Sequence, residues 1–159
     1  MAQRALGTKL KIGTSSPVAV AGLTSIGGLE LSADTIDVTT LDSDGGYREF
    51  IAGFKDAGEV SLEGFLELEV GKGQKDLYDL YESGDVEDFT IEFPNGLGSW
   101  QFEGVVTGFS TGASLEDPLS FSATIKVSGA PTLTVGEESG GGSNEDQNEG
   151  QNEGQNEGQ

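Results

Sequence analysis

The sequence predicts a mainly β protein: an antiparallel β-sandwich or barrel with one flanking α-helix, followed by a disordered acidic tail. Three observations carry that expectation. Apolar and polar residues alternate along several segments, the pattern of strands buried on one face. A single segment, Gly73 to Ser83, carries its apolar residues at helical spacing instead. After Val135 no apolar residue occurs, so nothing there offsets the entropy of ordering the chain.

In chain order, the short strand candidates are Leu10 to Ile12, Pro17 to Ala21, and Glu30 to Thr39 with Leu29, Leu31, Ile36 and Val38 as its apolar set. Glu59 to Glu69 is the longest alternation. Val60, Leu62, Gly64, Leu66 and Leu68 fall on one face, and Glu59, Ser61, Glu63, Phe65, Glu67 and Glu69 on the other. In the helix, Leu77, Leu80 and Tyr81 form one stripe and Gly84 suits the C-cap. Alternation returns in Phe89-Ile91-Phe93, in Trp100-Phe102 through Val106, and in Leu119-Phe121-Ala123-Ile125-Val127. Gly27-Gly28, Pro94-Asn95-Gly96 and Glu116-Asp117-Pro118 are turn signals between them. Alternating strands argue against a parallel α/β sheet, whose strands are buried on both faces.

Two units are expected: a β domain over 1–136 and an acidic tail over 137–159. The tail contains Gln-Asn-Glu-Gly three times, ending in Gln159, and is too polar and short for a solenoid. Of the 28 acids, seven lie in the tail with none of the eight bases, leaving 21 against 8 in residues 1–136, a net of −13.

That charge argues against binding a phosphate backbone or an anionic membrane surface. The chain has no cysteine and no histidine. Disulfide frameworks, cysteine-based zinc sites and the Ser-His-Asp and Cys-His nucleophiles are therefore excluded. No apolar run reaches the length of a membrane span, and Met1 to Ile12 lacks the apolar core of a secretory signal. Production in a cytoplasm, with no export by a cleaved signal of that kind, is the expectation.

Remaining motifs are weak. Asp42-Ser43-Asp44-Gly45-Gly46 has the opening of a calcium loop, yet the positions that should carry Gly and the final Glu are Tyr47 and Gly53. Asp34 and Asp37 near Asp42, or Glu63 with Glu67, could pair for glycoside hydrolysis, but nothing marks an apolar pocket that would raise one pKa. Gly71-Lys72-Gly73 lacks the Walker spacing and reads as a strand-to-helix turn. No cofactor and no catalytic residue is expected.

Thr39 to Gly58 stands apart. It shows no convincing alternation and carries Tyr47, Phe50, Ile51 and Phe54. A structureless loop of that length is usually functional or disordered, and its aromatic content speaks against disorder.

From Leu23 to Leu133 the chain resembles the major tail proteins of long-tailed, non-contractile bacteriophages. The resemblance rests on the order of several pieces. Leu29-Glu30-Leu31-Ser32-Ala33-Asp34-Thr35-Ile36-Asp37-Val38-Thr39-Thr40-Leu41-Asp42 leads into Gly45-Gly46-Tyr47-Arg48-Glu49-Phe50 and Gly53-Phe54-Lys55-Asp56. The long strand, the helix, Phe89 to Pro94, and Phe121-Ser122-Ala123-Thr124-Ile125-Lys126-Val127-Ser128-Gly129 follow, ending in Pro131-Thr132-Leu133.

The resemblance implies a β-sandwich with a flanking helix that forms hexameric rings, stacked into a tube in the virion tail. It implies a structural role rather than an enzymatic one. Strands of each subunit would line the lumen, and a long loop would reach adjacent subunits. Mapped here, that loop is Thr39 to Gly58, with Asp42, Tyr47, Arg48, Phe50, Phe54 and Lys55 as subunit contacts and Glu63 and Glu67 as lumen acids. Partners implied are other copies of the chain and tape measure, tail-tip and tail-terminator proteins, with DNA only as transported cargo and no membrane. A tube subunit of a related contractile tail or secretion machine, and a monomeric surface- or carbohydrate-binding β-sandwich module, are the rival readings.

Overall fold

The computed structural model describes residues 2–136; the expected acidic tail lies outside them. Nine strands and one helix make up this part: β1 (Lys9–Ile12), β2 (Val18–Ala19), β3 (Leu23–Gly28), β4 (Ser32–Asp37), β5 (Phe50–Asp56), β6 (Glu59–Phe65), α1 (Gln74–Ser83), β7 (Glu87–Glu92), β8 (Gly98–Gly112) and β9 (Ser120–Val135). The expected class holds. Seven strands form one antiparallel sheet in the order β2-β1-β7-β8-β9-β6-β3, while β4 and β5 form a separate two-stranded ribbon.

The sheet has to curl. Its two edge strands, β2 and β3, are separated by only residues 20–22. A chain of that length reaches ~14 Å at most. Six strand spacings in a flat sheet would put the edges ~29 Å apart. The linking residues bond to both sides of the closure. The Val20 N–H donates to the Leu10 carbonyl and the Phe65 N–H to the Gly22 carbonyl, each at 2.8 Å.

The alternating residues fill the inside of the curl. Val60 and Leu62 of β6, Phe121, Ala123, Ile125 and Val127 of β9, Phe102 and Val106 of β8, and Phe89 and Ile91 of β7 are all buried there. The Phe89 and Phe102 rings stack with centroids 5.7 Å apart. Helix α1 closes the core against β8, with Leu77 buried and Leu80 packed at its margin. It starts after Gly73 and ends at Gly84, both in the left-handed region, and the Gly84 N–H donates to the Leu80 carbonyl. Of the expected stripe, Tyr81 is exposed; Tyr78, nearly as exposed, sets its ring against Phe109.

Four strand expectations need correction. β6 stops at Phe65, so the expected eleven-residue strand is seven residues long and Leu68, Glu67 and Glu69 lie beyond it. β3 falls where only a turn was read at Gly27-Gly28; its two large apolar residues, Leu23 and Ile26, stand three apart across an irregularity and so do not alternate. The expected strand over Glu30 to Thr39 is shorter and exposed along its whole length, since its partner is β5 and not the core sheet. β5 lies inside the segment read as structureless. Trp100, which opens the alternation running through Phe102 to Val106, is partly buried at the core's edge.

Candidate functional site

The β4–β5 ribbon is an arm that leaves the body. Ser32 pairs with Asp56 at its root, Ile36 with Ile51, and Asp37 with Phe50 near its tip, with one irregularity between Ala33 and Thr35. Main-chain pairing, not burial, holds it straight. Side chains order the tip: the Glu49 N–H donates to Thr39 Oγ1 at 2.9 Å, and the Ser43 hydroxyl donates to Glu49 at 2.8 Å. Arg48 reaches Asp37 at 3.4 Å. The Thr39 hydroxyl and backbone N–H hold the Asp37 carboxyl below the usual aspartate range.

This order exposes apolar surface. Leu31, Ile36, Val38, Leu41, Tyr47, Phe50, Ile51 and Phe54 all stand open to solvent, Phe54 at 90 % and Leu41 fully. A β-hairpin gains its stability from packing one face, and here neither face is packed within the chain. The expected contact residues Asp42, Tyr47, Arg48, Phe50, Phe54 and Lys55 are all on this arm and all exposed. The first three lie in the tip, Phe50 begins β5, and Phe54 and Lys55 stand nearer the root.

At the root, Asp56 ties the arm to the sheet. Its carboxylate accepts from the Gly58 N–H at 2.7 Å and from Lys126 Nζ of β9 at 3.0 Å. These two contacts, the backbone one first, hold its pKa below the usual aspartate value. On the other side of the root Leu29 takes φ 60° while packing on the core. A left-handed leucine is strained, and its burial holds the conformation in place.

The outward face of the curled sheet is the second surface. On β6 it shows Glu59, Ser61 and Glu63, and on β9 Ser120, Ser122, Thr124 and Lys126. Glu63 stands between Ser25 of β3 and Ser122 of β9, and Glu59 stands opposite Lys126. The expected line of acids breaks after Glu63, because Glu67 is beyond the strand.

Gln74, which the sequence reading passed over, explains that break. It is fully buried, the only buried polar side chain among the described residues. Its amide donates to the carbonyls of Ala21 and Phe65 and accepts from the Glu67 N–H, each at 2.8 Å. A helix residue thus takes the hydrogen bonds a neighbouring strand would have taken. Its position one residue after Gly73 was the only sequence signal.

Among the described residues, no carboxylate shows the raised pKa of a general acid. Every resolved shift among them is downward, at Asp37, Asp56 and Glu92, whereas a general acid needs a raised pKa. The Gly71-Lys72-Gly73 segment is a turn into the helix, with the Lys72 N–H on the Glu69 carbonyl. Among the described residues no helix is long and apolar enough to cross a membrane.

Comparison with known proteins bears on these surfaces. The model of a family described as "Lambda phage tail tube protein, TTP" matches residues 12–134. No curated protein matches the chain. Among solved structures, the tail of an empty gene transfer agent particle, refined helically with C6 symmetry, is similar at TM-score 0.71 and 25% identity, over 84% of this chain and 100% of that one. The SPP1 tail tube is similar at TM-score 0.63 and 14% identity, over 84% and 80%. A sheath/tube terminator structure of an extracellular contractile injection system is similar at 0.64 and 15%, over 85% and 98%. The last two likenesses are of fold alone.

Proposed function

This chain belongs to the lambda phage tail tube protein family, and from that premise we propose that it polymerises as stacked hexameric rings into a tube whose negatively charged lumen conducts DNA during ejection. It is a structural component of a phage tail. Its first partner is a second copy of itself. Tape measure, tail-tip and tail-terminator proteins are the further partners of this reading, and synthesis in the host cytoplasm precedes assembly.

The observation that carries the proposal is the uncovered arm. A hairpin with eight large apolar side chains in the open leaves a patch that a soluble monomer rarely keeps. Aromatic and arginine side chains are the usual energetic centres of interfaces, so Tyr47, Arg48, Phe50 and Phe54 are assigned to subunit contacts, flanked by Asp42 and Lys55. The symmetry of the similar gene transfer agent tail supports a ring of six.

A conduit for DNA has to avoid holding it. Net −13 over residues 1–136 repels phosphate, and the outward face offers hydroxyls and acids. We assign that face to the lumen, with Glu63 from within β6 and Glu67 from beyond its end contributing to the negative field. Residues 1–136 are the tube-forming unit in this reading, and 137–159 stay outside the tube, where their charge keeps particles apart.

The test is to concentrate the purified protein and view it by negative-stain electron microscopy, alone and with tail-tip proteins. Hollow tubes or six-fold rings are expected. Monomers that persist under both conditions would overturn the proposal.

A further inference from the structure

Beside the root of the arm lies a groove of about 620 Å³, lined mainly by apolar side chains. Leu31 and Ala57 flank it from the arm, and Trp100, Pro131 and Leu133 from the far ends of β8 and β9. Trp100 and Leu133 are paired across the two strands, so the groove has a rigid floor. Lys55 stands at its rim. Among the described residues Lys55 makes no ion pair, whereas the neighbouring Asp56 is matched by Lys126. The groove therefore presents an apolar floor and one uncompensated positive charge, in a domain that is acidic elsewhere.

The tip of the arm has the complementary character. Leu41 and Tyr47 project from it into solvent. Among the described residues Asp42 and Asp44 beside them form no ion pair, and Arg48 of the same tip is engaged by Asp37. The tip cannot fold back into its own groove. The six strand residues from Ser32 to Asp37 hold the two apart by ~17 Å.

We propose that the groove beside the arm's root receives the arm tip of a second copy of this chain, with Leu41 and Tyr47 against Trp100 and Leu133, and Asp42 or Asp44 against Lys55. The inference rests on the tube reading and deepens it by naming the receiving surface. Tip and groove are different patches of one molecule, so the contact is head to tail. Such contacts close into a ring or propagate as a filament, and do not stop at a dimer. The apolar pair supplies attraction, and the single charge pairing selects the register.

A charge exchange tests it. Lys55→Glu alone, and the double change Asp42→Lys with Asp44→Lys alone, are each expected to raise the concentration needed for assembly by about tenfold or more. Mixed one to one, the two variants carry matched ends in alternation, and assembly is expected to return to near the wild-type threshold. Trp100, the only tryptophan, reports the contact directly. Its emission shifts to shorter wavelength when wild-type copies or the mixture assemble. All three positions are exposed, so thermal unfolding of each variant is expected to match wild type. Assembly of Lys55→Glu at the wild-type threshold, or a mixture that stays as impaired as its components, overturns this contact while wild-type tubes leave the tube reading standing. A wild-type chain that forms no rings or tubes, with tail-tip proteins or without, overturns both.

Discussion

The side-chain amide of Gln74 donates to the backbone carbonyl of Phe65 at 2.8 Å, across the point where β6 leaves the sheet. The same amide serves Ala21 and Glu67. One buried side chain thus joins the helix, the end of β6 and the link that closes the curl. Gln74→Leu keeps the volume and removes three partners from part-buried main-chain groups. Stripping a buried group of its partner costs about 1–3 kcal/mol, so a loss on the order of 3 kcal/mol is expected in urea unfolding. Wild-type stability in this variant would show that water replaces the amide.

Gly64 faces the core side of β6, but its role is close approach, not apolar filling. A Cβ there would run into the Gly22 carbonyl, and Gly22 itself takes φ 75° with its own space limited by Phe65 O at 2.7 Å. Gly64→Ala is expected to prise β3 from β6 and cost about 1–3 kcal/mol, the range for overpacking. The check is the unfolding midpoint together with faster amide exchange at Phe65, whose N–H bonds to Gly22.

Asp56 should titrate below an ordinary aspartate, chiefly through the Gly58 N–H and then through Lys126. A lowered folded-state pKa contributes stability that is present above the unfolded value of ~3.9 and is lost as pH falls through the lowered one. Acid is therefore expected to loosen the arm's root, seen as faster exchange of the Gly58 amide. In Lys126→Met, NMR titration should move the Asp56 pKa only part of the way back, because the hydrogen bond from the Gly58 N–H remains. A complete return would assign the shift to Lys126 alone.

Arg48→Ala and Phe50→Ala remove exposed side chains from the outer part of the arm, away from its root. Exposed substitutions usually change stability by less than about 0.5 kcal/mol. The expected outcome is a folded monomer that does not polymerise, checked by thermal unfolding and electron microscopy side by side. Normal tubes from either variant would remove that residue from the contact.

Glu63 stands among hydroxyls on the outward face, flanked by Ser25 and Ser122. Reversal to Lys is expected to leave the fold intact and to slow DNA ejection from particles built with it, since every copy in the tube would then attract phosphate. Ejection at the wild-type rate would move the lumen to another face.

By itself the sequence determined the class, the core and the helix. The alternation in Val60 and Leu62, in Phe89 and Ile91, and in Phe121 through Val127 was legible because each of those strands buries one face and wets the other. Gly84 marked the helix C-cap because few other residues take a positive φ there at low cost. Periodicity reports burial, however, and only through burial does it report a strand. Phe50–Asp56 is held by its ladder to Ser32–Asp37 with both faces exposed, so no alternation was imposed on it and the segment read as a loop. Leu23–Gly28 left the same silence, because an irregularity after Leu23 puts its two large apolar residues three apart. Only the tertiary structure decided where β6 ends, because Gln74 competes for its hydrogen bonds from nine residues away, and how the sheet curls, because residues 20–22 tie its two edges. It alone brought Lys55, Trp100 and Leu133 to one groove. Those relationships depend on long-range hydrogen bonds and close backbone approaches, and neither leaves a period in the chain.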